Sequence, residues 1–194
     1  MLHGRLPEYY LKKLLRKDGE RKGNTGIILT MPILDSRTLE FFSRSADQTR
    51  RLGMRLGSLL QDRDVVFLKG DFGTGKTTLV QGIAQGWGSL DPATSPTFIL
   101  VNVYRRPNGE NLYHLDAYRL ENAGEAIDLD LDSMLENGVL VVEWPERIAA
   151  ALPGQHLLIQ LTWVGDEQRG LVFLAQGERY EALVDGFRRR VLGG

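Results

Sequence analysis

Residues 70–77 read Gly-Asp-Phe-Gly-Thr-Gly-Lys-Thr, and this stretch decides the fold. It has the pattern of a P-loop, a glycine-rich turn whose backbone N–H groups point inward around phosphate oxygens. An apolar run from Val65 to Leu68 precedes the loop, and a helix is predicted after it, from Lys76 towards Trp87. A glycine-rich turn without a ligand could share the pattern, but here both flanks have the strand and helix character that a P-loop needs. The sequence therefore predicts that the chain binds a nucleoside triphosphate.

The residues of the loop have separate predicted roles. Lys76 is expected to contact the β- and γ-phosphates, and Thr77 is expected to bind Mg²⁺. The other residues predicted to surround the phosphates are Gly70, Asp71, Phe72, Gly73, Thr74, Gly75 and Thr78.

The composition is typical of a soluble protein of about one large domain. The chain has 194 residues, of which 42% are hydrophobic and 25% are charged. A net charge of -1 creates no overall field that attracts nucleic acid, so any RNA contact would need a local patch or a partner protein. The chain has no cysteine, which excludes disulfides and thiolate metal sites, and it has no apolar run long enough to cross a bilayer. We therefore expect a cytoplasmic protein without a membrane contact.

The order of predicted elements around the P-loop indicates an α/β protein. Ser45 and Gln48 have the spacing of a capping box, which predicts the start of a helix. Pro107-Asn108-Gly109 is a turn signal between two β-rich runs and predicts a hairpin, and the apolar run Val139 to Val142 predicts a buried strand. The remaining predicted elements are strands at 65–68, 98–104, 111–117, 156–164 and 171–175, a polar turn at 165–170, and helices at 131–136 and 180–192. Together they predict a P-loop NTPase-like three-layer α/β fold with a mixed β-sheet.

Three parts of the chain are distinguished by composition. Residues 1–30 form a basic N-terminal extension, residues 31–178 the P-loop ATPase domain, and residues 179–194 a C-terminal helical tail. The sequence leaves three interpretations of the extension open: a solvated, disordered tail, an arm that contacts RNA, or a segment absent from a protein that starts at Met31.

Two carboxylates follow predicted strands and are candidate catalytic residues. Glu143 ends the apolar run at 139–142, where α/β proteins place their ligand sites, and is predicted to hold Mg²⁺ directly or through a water. Asp116 lies in the run His114-Leu115-Asp116 and shares a side of its strand with His114, so it could position the attacking water or a water on the metal. The alternative for each carboxylate is a solvated or helix-capping side chain.

Other polar and aromatic residues have two open interpretations each. Ser95-Pro96-Thr97 follows the P-loop helix and is either a switch segment that reaches the γ-phosphate or a plain turn. His114 is either a proton carrier or, as the pattern favours, a hydrogen-bonded structural histidine. Trp144 either stacks on a base or fills the core.

Four motifs occur in a fixed order: GDFGTGKT at 70–77, SPTF at 95–98, HLDAYRL at 114–120 and VVEWPER at 141–147, with SADQTRRLG at 45–53 upstream. Their order and spacing resemble the bacterial TsaE family of tRNA threonylcarbamoyladenosine biosynthesis ATPases. The resemblance covers roughly residues 31–175, and four motifs together are far more specific than a P-loop alone.

The resemblance implies an ATPase that uses ATP and Mg²⁺ and is weak alone and stimulated by partners. Those partners would be the proteins TsaD and TsaB, with which it would attach threonylcarbamoyl to an adenosine beside the tRNA anticodon. In this family the transfer chemistry belongs to TsaD, so the chain would meet tRNA only indirectly, through the complex.

The resemblance also implies roles for individual residues. Lys76 and Thr77 would bind the phosphates and Mg²⁺, and Glu143 would be the acidic Mg²⁺ residue. Four further residues would belong to the nucleotide site or its switch-like loop: Thr49, Ser95, Thr97 and Asp116. Arg169 matches loosely an arginine late in the family and is assigned to the nucleotide site on that basis.

The main alternative is a P-loop kinase that acts on a small molecule. Such kinases usually close an arginine-rich lid over the donor phosphates, and between the P-loop and Glu143 the only candidates are Arg105, Arg106 and Arg119. A GTP switch is disfavoured because no Asn-Lys-x-Asp sequence is present. A nucleotide sensor without hydrolysis stays open from sequence.

Overall fold

The computed structural model describes residues 37–91 and 100–192. Within them, seven strands form one sheet in the order β1-β7-β6-β2-β5-β4-β3. The strands are β1 Thr38–Ser43, β2 Val65–Lys69, β3 Val101–Arg105, β4 Asn111–Asp116, β5 Gly138–Glu143, β6 His156–Gly165 and β7 Gln168–Gln176. The four central strands, β6, β2, β5 and β4, are parallel to one another, and antiparallel strands complete both edges. The predicted mixed sheet is confirmed.

Helices cover both faces of the sheet. They are α1 Ala46–Gly57, α2 Lys76–Trp87, α3 Ala123–Ile127, α4 Leu131–Glu136 and α5 Glu178–Leu192. The hydrophobic core on one face contains residues of α1, α2 and α5, and the core on the other face contains residues of α3 and α4. This arrangement is the three-layer α/β fold predicted from the sequence. Among the described residues, no helix is both long and apolar enough to cross a membrane.

The P-loop sits at the centre of this sheet for a simple reason. All four residues from Val65 to Leu68 are buried, as are all six residues of β5 beside them. Strands that are buried on both faces need apolar side chains on both sides, which is the pattern that these runs show in the sequence. The carboxyl ends of β2 and β5 meet at one edge, since Leu68 lies opposite Glu143. The P-loop therefore begins beside Glu143.

The predicted capping box at the start of α1 is present with one difference. Ser45 caps the helix, since its hydroxyl accepts a hydrogen bond from the Gln48 backbone N–H at 3.2 Å. The Gln48 side chain accepts from the backbone N–H of Arg44 at 2.8 Å, one residue before the position that the standard motif uses.

Three regions differ from the prediction. One of them is the short helix α3, which was not predicted from the sequence. The strand β1 was not predicted from the sequence, and it forms because it pairs along its whole length with β7. The polar turn predicted at 165–170 is shorter, because residues 168–170 belong to β7. All three pair with β6, and Arg169 and Gly170 also pair with β1. Pairing on both sides of β7 satisfies the backbone groups of this polar segment and extends the strand.

The C-terminal helix predicted at 180–192 is α5, which starts at Glu178. It buries Tyr180, Leu183, Val184 and Phe187. The Tyr180 hydroxyl accepts a hydrogen bond from the Val65 backbone N–H at 2.8 Å, which ties the helix to the first residue of β2. The division of the chain at residue 178 remains a prediction, and the extension at 1–30 lies outside the described residues.

Glycines allow α1 and α2 to approach until their backbones touch. A Cβ added to Gly53 or Gly57 of α1 would overlap carbonyl oxygens of α2. A Cβ added to Gly82 or Gly86 of α2 would overlap carbonyl oxygens of α1. Backbone atoms cannot move aside as a flexible side chain can, so these positions require glycine. The contact holds α1 against the helix that carries Lys76 and Thr77.

We expect Gly86→Ala to lower the free energy of unfolding by about 3 kcal/mol, because its methyl group would push α2 away from the Met54 carbonyl. Gly186→Ala is the matched control, since the same change in α5 meets no atom within 4 Å. The control should stabilise the protein by about 0.5–1 kcal/mol through helix propensity. Chemical denaturation of both variants measures these changes. Equal effects of the two substitutions would contradict the close-contact explanation.

Candidate nucleotide site at the P-loop

The P-loop turns sharply at its three glycines. Gly70, Gly73 and Gly75 have φ angles of 150°, 73° and 93°, a region of backbone conformation that favours glycine. A Cβ on Gly70 would also overlap the Leu161 carbonyl oxygen. No side chain of the described residues caps the first turn of α2. The N–H groups at the start of α2 can therefore bind an anion, which the helix dipole favours.

Lys76 points into the loop. Its ammonium donates hydrogen bonds to the carbonyl oxygens of Gly70 at 2.7 Å and Asp71 at 3.0 Å, and it lies 4.0 Å from the ring centroid of Trp144. Burial lowers the pKa of Lys76, and the nearby carboxylates, Glu143 first among them, oppose that shift. The amine is thus held by backbone oxygens that a phosphate could replace as its partners.

Thr77 and Glu143 form the second part of the site. The Thr77 hydroxyl donates a hydrogen bond to Oε1 of Glu143 at 3.0 Å. Glu143 is only 3% exposed, and the same oxygen lies 2.9 Å from Nε2 of His114. The sequence prediction that His114 is a hydrogen-bonded residue is therefore confirmed, and its partner is the candidate metal-binding carboxylate.

Asp116 lies at the same edge of the sheet. It is opposite Glu143 in the parallel pairing of β4 with β5, and its charge acts on Lys76. Its carboxylate also accepts a hydrogen bond from the backbone N–H of Tyr118 at 3.1 Å and caps a single turn of 3₁₀ helix, Ala117–Arg119. Asp116 therefore has the capping role that the sequence left open, and its charge also acts on Lys76 of the P-loop.

The donor set fits Mg²⁺. A threonine hydroxyl and a carboxylate oxygen, 3.0 Å apart, are hard oxygen ligands of the kind that Mg²⁺ prefers. In phosphate sites Mg²⁺ commonly takes one or two protein ligands and completes its octahedron with waters and phosphate oxygens. Within residues 37–91 and 100–192, no cluster of three or more His, Asp or Glu residues could hold a metal without such help.

A cavity of about 250 Å³ lies beside the loop. It is lined by Ala46, Thr49, Gly73, Gly75, Thr78, Glu167 and Arg169. The structure thus brings together the P-loop, the first turns of α1 and the turn between β6 and β7. Arg169 reaches the loop directly, because its guanidinium donates a hydrogen bond to the Gly73 carbonyl oxygen at 3.1 Å.

The cavity includes residues that the sequence predicted and residues that it missed. Thr49 and Arg169, which only the resemblance had assigned, both line it. The Thr49 hydroxyl is buried and bonds the Ser43 hydroxyl at 2.8 Å. Ala46 and Glu167 were not predicted, since neither residue type signals a ligand at its position. Ser95 and Thr97 lie outside the described residues.

An aromatic cluster stands next to Lys76. The rings of Phe72, Tyr118 and Trp144 have centroids 4.5 to 5.2 Å apart. Phe72 is 67% exposed although it is large and apolar. Trp144 has a φ of 58°, a strained conformation for a bulky residue that is common at functional sites. It packs on Lys76 and Phe72, so this tryptophan belongs to the surroundings of the phosphate site.

Comparison with known proteins assigns this arrangement to a family. The profile of the family described as "Threonylcarbamoyl adenosine biosynthesis protein TsaE" matches residues 43–171. The chain belongs to the TsaE family. That range contains the P-loop, both candidate carboxylates and Arg169, so the residues of the site lie within the matched segment. Members of this family are nucleotide-binding proteins of the P-loop ATPase type.

Individual relatives agree with this assignment. The chain is 35% identical to the tRNA threonylcarbamoyladenosine biosynthesis protein TsaE of Bacillus subtilis, over 79% of this chain and 96% of that protein. It is 40% identical to the protein of the same name from Streptomyces coelicolor, over 68% of this chain and 93% of that protein. It is also similar to the crystal structure of Bacillus subtilis YdiB, with a TM-score of 0.67 and 31% identity over 80% of this chain and 97% of that one.

Proposed function

We propose that this chain is the Mg²⁺-dependent, ATP-hydrolysing subunit of the machinery that attaches threonylcarbamoyl to an adenosine beside the tRNA anticodon. The role in tRNA modification is supported by the relatives, which carry the name tRNA threonylcarbamoyladenosine biosynthesis protein TsaE. The chemistry is supported by one observation above the others: Thr77 donates to the buried Glu143 beside a P-loop that holds Lys76. In this proposal TsaD and TsaB are the partners, and the cytoplasm is the compartment.

The proposed mechanism assigns each side chain a task. Lys76 exchanges its carbonyl partners, Gly70 and Asp71, for phosphate oxygens, and the N–H groups at the start of α2 bind the same phosphates. Thr77 and Glu143 would hold Mg²⁺, and a bound Mg²⁺ would supply positive charge that neutralises the phosphates. Asp116, at the same edge of the sheet, orients the attacking water.

The cavity provides a place for the nucleoside. Thr78 lies at its wall, one residue beyond the Thr77 that is assigned to the metal, so a nucleotide with its phosphates in the loop would direct its sugar and base there. Arg169 lines the same cavity while it bonds Gly73 of the loop, and would contact the nucleotide as the resemblance implies. Gly70 to Thr78 would together surround the phosphates.

Hydrolysis would serve to change the conformation of a complex. The chain offers a nucleotide site, and the transfer of threonylcarbamoyl is assigned to TsaD. A Ser95–Thr97 loop ordered by the γ-phosphate would give the protein two surfaces, one for each nucleotide state. If one nucleotide increases the affinity of the chain for a partner, that partner must increase the affinity of the chain for the same nucleotide by the same factor. Weak activity alone and stimulation by partners follow naturally from such coupling.

We expect the chain to associate with TsaD–TsaB more tightly in one nucleotide state than in the others. Light scattering should be measured with a non-hydrolysable ATP analogue, with ADP and without nucleotide, and phosphate release with and without the partners. Equal association in all three states, with no change in rate, would contradict the proposed coupling. Transfer of phosphate to a metabolite would instead identify a small-molecule kinase.

A further inference from the structure

The histidine beside the candidate metal site is completely buried. His114 is 0% exposed, and its Nε2 atom lies 2.9 Å from Oε1 of Glu143. The same oxygen accepts the Thr77 hydroxyl, so one carboxylate atom serves two side chains from two different elements. Any group that fixes the His114 ring therefore also fixes the carboxylate that faces Thr77.

Elementary hydrogen-bond chemistry sets the tautomer of this ring. An ionised carboxylate can only accept, so Nε2 must carry the proton that is shared with Glu143. In the neutral ring Nδ1 is then an acceptor. Within residues 37–91 and 100–192, Nδ1 of His114 is buried and has no hydrogen-bond partner. A buried polar atom in that condition loses the hydrogen bonds that water would give it, so natural proteins rarely keep one without a function.

A complementary donor lies on the neighbouring strand. Asn102 of β3 is directly opposite His114 of β4 in the antiparallel register. Directly opposite residues have Cβ atoms about 4.5–5.5 Å apart and project from the same face of the sheet. The amide nitrogen of Asn102 is also buried. The Asn102 side chain acts on the Tyr104 hydroxyl as a hydrogen-bond partner, and within the described part of the chain its amide makes no hydrogen bond to His114. Tyr104, on the same strand, stacks its ring over His114, with centroids 6.3 Å apart and planes at 19°.

We infer that Asn102 and His114 are positioning residues for Glu143. The Asn102 amide donates to Nδ1 of His114 through one bound water, and this bridge keeps the proton on Nε2, where it is donated to Glu143. The resulting chain runs Asn102 to His114 to Glu143 and holds the carboxylate towards Thr77. The inference rests on the proposed function, because it gives Glu143 the task of binding the metal.

Residues that orient a metal ligand affect metal use more than they affect stability. We expect His114→Phe, which keeps the ring but removes the donor, to lower kcat for phosphate release by about 10- to 100-fold and to raise the Mg²⁺ concentration for half-maximal rate. Binding of ATP without Mg²⁺ should change little. His114→Gln retains an N–H donor and should recover part of the lost rate.

Asn102 is tested by a double-mutant cycle. Asn102→Leu should lower kcat by itself, and the double variant with His114→Phe should be no slower than His114→Phe alone, because Asn102 acts through the histidine. Val103→Ala is the matched control, since Val103 is the next residue on β3, is exposed, and projects from the opposite face of the strand. This control should leave kcat unchanged.

Melting temperatures identify any variant that fails to fold. If His114→Phe does not fold, Asn102→Leu and His114→Gln still test the inference.

A measurement without catalysis tests the hydrogen bonds directly. Nitrogen-15 NMR of the wild-type ring should show the proton of His114 on Nε2, and Asn102→Leu should shift the Nδ1 resonance. A proton on Nδ1, multiplicative losses in the double variant, or a loss in Val103→Ala equal to that in Asn102→Leu would overturn the inference. A wild-type protein that neither binds nor hydrolyses Mg-ATP would refute the proposed function instead, while the NMR result would still report on the hydrogen-bond chain.

Discussion

Replacement of Lys76 by alanine is expected to weaken the binding of Mg-ATP by about 100-fold, which corresponds to roughly 3 kcal/mol, a typical value for a lost hydrogen bond to a charged group. The ammonium of Lys76 already lies among the carbonyl oxygens of the loop, where the phosphates are expected to bind. Its removal takes a positive charge from a site that must hold a polyanion. Calorimetric titration of the folded variant with Mg-ATP measures the effect.

The control for this prediction is Lys69→Ala. Lys69 is the last residue of β2 and is exposed. Its substitution removes the same positive charge from the position directly before Gly70, but it leaves every residue of the P-loop in place. We expect an affinity within about threefold of the wild-type value, because an exposed charge is screened by solvent. An unchanged affinity in Lys76→Ala, or an equal loss in both variants, would contradict the assignment of Lys76 to the phosphates.

Replacement of Glu143 by glutamine is expected to lower the rate of ATP hydrolysis by about 100-fold or more, a loss of the size seen when one electrostatic contribution to a transition state is removed. The side-chain oxygen of glutamine can still accept the Thr77 hydroxyl, so the binding of ATP should fall by less than about tenfold. Asp116→Asn should also lower the rate of hydrolysis more than it lowers the affinity for ATP, but its loss of rate should be smaller than that of Glu143→Gln.

Glu146→Gln is the matched control for Glu143→Gln. Glu146 is exposed, and its charge also acts on Lys76, so the two substitutions make the same change of charge near the same lysine. Of these two glutamates, Glu143 is the one that bonds the Thr77 hydroxyl. Steady-state phosphate release and calorimetry should be measured on both variants. Parallel losses of binding and hydrolysis in Glu143→Gln would indicate that this residue shapes the ground-state pocket and does not act in the transition state.

The sequence predicted the centre of the fold well because the signals there are local. The apolar runs that form β2 and β5 are buried on both faces, and such strands show their burial in their own residues. The edge strand β1 has no such signal: only Leu39 and Ser43 of its six residues are buried. It forms because β7 offers it a partner more than 120 residues away, at a register that no local pattern encodes.

The residues of the candidate site could likewise be predicted only where a local sequence pattern marks them. The P-loop residues and Glu143 could be found from sequence, because a glycine pattern and the end of an apolar strand mark them. The partnership of His114 with Glu143 depends on the pairing of β4 with β5, and the position of Asn102 depends on the register of β3 with β4. Glu167 joins the cavity through the fold of the turn between β6 and β7. None of these contacts follows from the spacing of residues along the chain.

We propose that this P-loop hydrolyses Mg-ATP and that the hydrolysis supports tRNA modification. The most direct measurement is release of inorganic phosphate by the purified chain, with Mg-ATP, alone and together with TsaD, TsaB and tRNA. We expect slow release by the chain alone, faster release in the complete mixture, and loss of both when Glu143→Gln replaces the wild type. Release that is absent in every mixture, or that persists undiminished in Glu143→Gln, would contradict the claim.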